Sequence, residues 1–330
     1  MNESLFLVSS GYDMCIRFWS DLKNPQTKHC IEHKDNAINA LELSPSNKLL
    51  CFAAGNAIKY LNMERIDPKS IQSIDCHEGI ISTILFPPKL DGCILTGGED
   101  CSVRITDMRG GKCVKTFYHS NYVNSLAITN NNKEIIAADE NGTIKIWDIV
   151  KGEVRTEYNS DIKEEGLAFR SISFAEEEGF LVGAKSNGTV CVFDYNNKLG
   201  QILTKPKTFE AHKNYITKCL ISPKKKNMLA TCSADTTIKL WERKPQVNED
   251  GSIDKDSKEK EILSTDFQLK TEFIGHKKWV WDCQFLEDLY LITCSSDKTI
   301  KFWDINKEKF HTNINNNKGI NNIALIDNYS

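Results

Sequence analysis

Twelve cysteines are scattered along the 330 residues without a single C-x-x-C pair, so the ligand spacing of a structural zinc site is missing. Most stand inside apolar runs such as LLCFAA and LATCSA, where a reduced thiol acts as a small buried hydrophobe. No apolar run approaches the roughly 20 residues that cross a bilayer, and the N-terminus lacks a basic segment followed by an apolar one. A soluble cytoplasmic protein is expected, reaching membranes only peripherally through partners. Lysine and arginine number 42 against 45 acidic residues, which leaves no basic excess to mark a nucleic-acid footprint. Enzyme signatures are lacking too. There is no G-x-S-x-G and no H-E-x-x-H, and DMRGGK at residues 107–112 lacks the spacing of a phosphate-binding loop. No catalytic, cofactor-binding or metal-binding residues are therefore expected, and no cofactor. Nor does any stretch sustain a 3.6-residue apolar stripe.

What the chain has is repetition. YDMCIRFWS, GNAIKYLN, EDCSVRITD, ENGTIKIWD, SNGTVCVFD, ADTTIKLWE and SDKTIKFWD share one frame. A turn residue precedes a β-branched residue, and three positions later comes a slot holding Trp19, Leu61, Thr106, Trp147, Phe193, Trp241 and Trp303. The slots recur every 41 to 48 residues, with one interval of 62 that accommodates an insertion. A second frame, about two dozen residues earlier, places apolar residues at offsets 0, 3 and 5, from Ile38/Leu41/Leu43 to Ile320/Ile323/Leu325. Between the frames lie β-type runs and turns carrying Asn-Gly or Asp-Lys, so each repeat is a short antiparallel meander.

These repeats resemble WD repeats, which place a His near the start and a Trp at the end of each four-stranded propeller blade. Five repeats supply the His, at His33, His77, His119, His212 and His276. The resemblance implies an all-β, seven-bladed β-propeller forming one domain over residues 1–330. It also implies hydrogen-bonded staples of His212, Asp235, Trp241 with Thr231 or Ser233, and of His276, Asp297, Trp303 with Thr293 or Ser295. Blades ending at Leu61, Thr106 and Phe193 depart from the pattern and are expected to rely on apolar packing. The chain opens on strand-like LFLVSS without a preceding 0/3/5 frame and closes on that frame alone. Each end thus supplies half a blade, and the two are expected to seal the ring together.

GHKKWVWDCQF at residues 275–285 poses the functional question. Strict alternation would send Trp281 inward with Cys283 and Phe285. Its column across the repeats reads Asn39, Ser82, Asn124, Arg170, Thr217, Trp281, Asn321, and six polar members of seven mark a surface position. Val280 belongs to the apolar column. Alternation must therefore break at the loop-to-strand junction, leaving both indoles at the loop end of the innermost strand. Exposed indoles of this kind act as interface anchors, unless an adjacent loop folds over them. Family position adds Tyr12, Glu99, Glu140, Tyr122, Tyr215, Asn39, Asn124 and Arg170 to this rim, an aromatic-rich face with polar surroundings suited to a protein partner.

Beyond generic WD repeats, GYDMCIRFW, INALEL, TGGEDCSVRITDMR, LATCSADTTIKLW and WVWDCQF are similar to the G-protein β-subunit-like subunits of target-of-rapamycin (TOR) kinase complexes. That resemblance implies a non-catalytic scaffold for nutrient and growth signalling in the TORC1 and TORC2 complexes. Trp279, Trp281 and Glu99 would grip the kinase domain, and other faces would bridge to accessory subunits. No membrane insertion, nucleic acid or obligate homo-oligomer is expected. Residues 244–268 form a charged insertion expected to be a mobile surface loop. A rival reading is a substrate receptor of a cullin-type ubiquitin ligase, for which Thr106–Arg109, TDMR, is a degenerate Trp-Asp-x-Arg motif.

Overall fold

The computed structural model describes residues 5–20, 25–34, 36–160, 167–196, 199–202, 205–245 and 263–326. β-Branched and aromatic residues alternating with short turns fold into seven antiparallel sheets, arranged as the blades of a β-propeller with essentially no helix. The first blade in chain order runs outward as Ile38–Leu43, Leu49–Ala54, Ala57–Asn62 and Gln72–Asp75. The second begins at Ile81–Leu85 and the third at Val123–Ile128. The fourth begins at Phe169–Ala175, the fifth at Ile216–Ile221 and the sixth at Val280–Leu286.

The seventh blade is built from both ends of the chain, in the order Asn322–Leu325, Leu5–Ser10, Cys15–Ser20, Gln26–Glu32. Leu7 pairs with Leu325 and Ser9 with Ile323, as the two half-frames require. Joining the two ends completes this blade, so that its inner edge faces the narrow channel as those of the other six do.

Apolar clusters fill the seven gaps between neighbouring blades. Phe180, Val182 and Val190 of the fourth blade, for example, pack on Ile216, Cys219 and Trp241 of the fifth. The first two members of every 0/3/5 triplet are buried, which is why that column never admits a polar residue. Cys51, Cys191, Cys219, Cys232, Cys283 and Cys294 are buried free thiols.

The insertion is narrower than its composition suggests. Strand Ile238–Pro245 pairs with Leu263–Phe273, matching Pro245 to Leu263 and Glu242 to Gln268. The expected loop over 244–268 thus has strand at both ends, where Phe267 packs edge-on against Phe180 at 6.0 Å. Residues 246–262 lie outside the described residues.

The His-to-Trp staples close through threonine. Trp241 donates its indole N–H to Thr231 Oγ1 at 3.0 Å, that oxygen lies 2.8 Å from His212 Nε2, and His212 Nδ1 is 2.9 Å from Asp235. Trp303, Thr293, His276 and Asp297 repeat the relay at 2.9, 2.9 and 2.8 Å. The carboxylate can only accept, which places a proton on Nδ1, and in the neutral ring Nε2 then accepts from the threonine hydroxyl. Ser233 and Ser295 instead accept from the backbone N–H of Asp235 and Asp297 at 3.0 Å.

One expectation fails here. The blade ending at Thr106 does not rely on apolar packing alone, because His77 keeps Asp100 at 2.9 Å and Thr96 at 2.8 Å without any Trp. In the Leu61 blade, His33 Nε2 instead meets Lys59 Nζ at 2.7 Å. Thr106 itself is fully buried, and its hydroxyl has no hydrogen-bond partner among the described residues. A buried hydroxyl without a partner costs about 1–3 kcal/mol. Thr106→Val keeps shape and β-branching, so it is expected to raise stability by about 1 kcal/mol, read as a higher urea midpoint at unchanged m-value.

Candidate functional site

Six of the seven innermost strands carry a bulge at one equivalent place. Their registers slip between Ile38 and Ala40, Ile81 and Thr83, Val123 and Ser125, Phe169 and Ser171, Ile216 and Lys218, and Val280 and Asp282. Two residues there face one on the partner strand, and the extra residue is re-aimed. The skipped residues are Asn39, Ser82, Asn124, Arg170, Thr217 and Trp281, and all six line the central cavity of about 240 Å³ together with Asn321 and Tyr12. This bulge is the physical break in alternation that the polar column required.

The loops entering the inner strands and the turns between second and third strands meet at this end of the ring. Their backbones are stitched together: Glu99 N–H donates to Ile80 O at 2.8 Å and Glu140 N–H to Tyr122 O at 3.0 Å. Ala234 N–H donates to Tyr215 O, and Ser296 N–H to Trp279 O, both at 3.1 Å. Glu99, Tyr122, Tyr215 and Trp279 therefore share one rim.

Four aromatic rings run along it in sequence. Tyr12 meets Trp281 at 6.0 Å, Trp281 meets Trp279 at 5.5 Å, and Trp279 meets Tyr215 at 5.3 Å, all edge to face. Such edge contacts hold the rings in fixed relative orientation. The guanidinium of Arg170 lies 6.0 Å from the Tyr215 ring and donates to Glu140 at 2.9 Å, and Glu140 accepts from Asn124 at 2.8 Å. Seven of the expected residues (Tyr12, Trp281, Trp279, Tyr215, Arg170, Glu140, Asn124) thus fall into one contact chain. Asn39 lines the cavity mouth. Glu99 and Tyr122 stand on the rim outside that chain.

The two indoles are not equivalent. Trp279 is 42% exposed. Trp281 is half-buried, with its N–H on Ser296 Oγ at 2.7 Å and its ring packed against the apolar cluster between the sixth and seventh blades. The expectation of two solvent-facing indoles is corrected accordingly. Ser296 comes from the neighbouring turn and turns the ring against the blade.

Deeper in the cavity is a charged trio that the sequence reading missed: Glu42, Lys218 and Asp282. Lys218 Nζ is 3.7 Å from Asp282, whose other oxygen accepts from Ile323 N–H at 3.0 Å. A signal existed in the column just after the bulge, where Lys218 and Asp282 follow Thr83, Ser125 and Ser171. Burial pushes the Glu42 carboxyl up to about 7, opposed by Lys218 and reinforced by Asp282. A carboxyl raised from 4.5 holds its proton in the fold between pH 4.5 and 7 while the unfolded chain has lost it, so stability falls as pH rises through that window. Glu42→Gln removes the penalty. It is expected to stabilise by about 1–3 kcal/mol at pH 8, after discounting for water in the channel, and by little at pH 5, measured by urea unfolding at both values.

The WD domain, G-beta repeat family matches residues 68–107, 111–148, 203–242 and 267–304. The target of rapamycin complex subunit wat1 of Schizosaccharomyces pombe is 32% identical over 241 residues, covering 72% of this chain and 74% of that protein. Target of rapamycin complex subunit LST8 of Saccharomyces cerevisiae is 32% identical over 275 residues, covering 83% and 82%. The Mus musculus LST8 is 31% identical over 247 residues, 73% of each. With the WD repeats, the self-closed ring and this span of identity, the chain belongs to the LST8 family of WD-repeat target of rapamycin complex subunits.

Proposed function

We propose that this chain is a non-catalytic scaffold subunit that binds and stabilises the kinase domain of a TOR complex through the channel rim. The observation that carries the reading is Trp279, an indole held 42% exposed by edge contacts to Tyr215 and Trp281. Leaving so large an apolar ring in water forgoes roughly 1.5–3 kcal/mol of burial. Pre-organised aromatics of this kind serve as anchors because little conformational entropy remains to be lost on binding. Polar neighbours such as Asn124, Glu140 and Arg170 supply the rim that surrounds an anchor in a protein interface.

The rival ligase-receptor reading draws no support from the geometry. Arg109 lies in the turn after strand Ser102–Asp107, at the opposite end of the blade from Glu99, and donates to Asp91 O. Purification of the tagged chain from its native cell tests the reading. A TOR-type kinase recovered with the chain is the expected result, and a cullin adaptor in its place would overturn it.

A further inference from the structure

Charge is divided unevenly around the rim. The loops leading into the second and third blades and their turns carry Glu78, Glu99 and Glu140, with no lysine or arginine between residues 76–80, 99–101, 119–122 and 140–142. The matching loops of the fifth, sixth and seventh blades carry Lys213, Lys277, Lys278, Lys298 and Lys318, all exposed. Nearby lysines are spoken for: Lys218 by Asp282, Lys239 by Glu272, Lys270 by Glu242. Among the described residues, none of the five rim lysines has a carboxylate within 4.0 Å of its ammonium. The acids in those loops are taken: Asp235 and Asp297 are turned inward onto His212 and His276, and Asp13 is paired with Arg17.

The basic arc surrounds the aromatic line. Lys278 adjoins Trp279, and Lys213 precedes by two residues the Tyr215 ring that touches Trp279. Lys298 follows by two residues the Ser296 that anchors Trp281. Asn316 ties the Lys318 loop to Lys298 through hydrogen bonds to both carbonyls, at 2.9 and 2.8 Å.

We infer that this arc takes an acidic peptide segment of the partner protein, seated by one large apolar side chain on Trp279. The inference rests on the docking role proposed for the rim and names the chemistry of what docks there. Unpaired ammonium groups around an apolar anchor select a segment with carboxylates flanking a hydrophobic residue, by charge complementarity. A nucleic acid fits poorly, because its charge continues along the strand while the basic arc gives way to Glu78, Glu99 and Glu140 across the opening. The lysines also steer encounter, and that contribution fades as salt shortens the reach of charge.

Fluorescence anisotropy with the full chain decides it. The probe is a labelled nine-residue peptide of glutamates around a central leucine. Its controls are a lysine-for-glutamate version, a serine-for-leucine version and a twelve-nucleotide oligo-dT. At low salt the acidic leucine peptide is expected to bind at least about tenfold tighter than either peptide control. Lys277→Glu/Lys278→Glu/Lys298→Glu, at exposed positions that leave the melting curve unchanged, is expected to lose that advantage. No binding of the acidic peptide, equal binding of the lysine or serine version, or oligo-dT binding lost in the same triple variant would each overturn the inference. Kinase capture separates the two claims. A triple variant that recovers the kinase undiminished at all salt concentrations sinks the acidic segment and leaves the scaffold role. Absence of the kinase from the unaltered chain sinks the role, and the peptide result still stands on its own.

Discussion

Removing residues 320–330 is expected to abolish the folded ring rather than trim it. The lost segment, strand Asn322–Leu325 and its flanks, holds Ile320, Ile323 and Ile326, each 1–6% exposed, together with buried Ala324. Burial of one such side chain is worth about 1.5–3 kcal/mol, so three isoleucines approach the 5–15 kcal/mol of a whole domain. Polar ties go with them. Asp282, 8% exposed, would lose the Ile323 N–H, and Ile38 O of the first blade would lose the Asn321 amide at 2.9 Å. Leu5–Ser10 would become an open inner edge, a template for pairing with other chains. The truncated chain is expected to aggregate or to elute as an expanded species, checked by size exclusion and circular dichroism. A soluble monomer with an unchanged melting temperature would show that the sixth and first blades need no strand between them.

The second large effect concerns the rim. Trp279→Ala is expected to weaken kinase capture by about 2 kcal/mol or more, close to thirtyfold. The melting temperature should stay put, since the indole is exposed and donates no hydrogen bond among the described residues. Adding Trp281→Ala should abolish capture, but that ring also packs against the core cluster between the sixth and seventh blades and bonds Ser296. The double variant must therefore be compared at matched folded fraction. Undiminished kinase recovery with folded Trp279→Ala would remove the rim from the interface.

Much of this was legible in the sequence because seven repeats supply seven readings of each position. The all-apolar triplet column located the inner strands, and the two half-frames at the chain ends located the closing blade. Comparison of columns also detected the bulge, through Asn39, Ser82, Asn124 and their equivalents, where alternation within one strand pointed the wrong way. What remained hidden depends on contacts that do not repeat. Ser296 meets Trp281 in one blade only, so no column announced that this indole lies down. The His77 relay was missed because its Trp served as the marker, whereas Asp100 and Thr96 hold the imidazole without it. The paired ends of the insertion escaped notice because its charged middle dominates the composition, while Phe267 alone points back to Phe180.

The recurrent bulge has a consequence for how such a protein changes over time. Each re-aimed side chain is held by a backbone register that its own identity does not set. Val280 and Cys283, on either side of Trp281, stay in the core whatever occupies the position between them. The same column also stitches the ring, because Ser82, Asn124, Thr217 and Asn321 each donate a side-chain hydrogen bond to an inner-strand carbonyl of the next blade, at Val123, Phe169, Val280 and Ile38. An exchange for another donor of similar reach keeps such a seam closed, whereas an apolar exchange leaves a carbonyl without its donor; Arg170 and Trp281, which reach Glu140 and Ser296 instead, are freer to change.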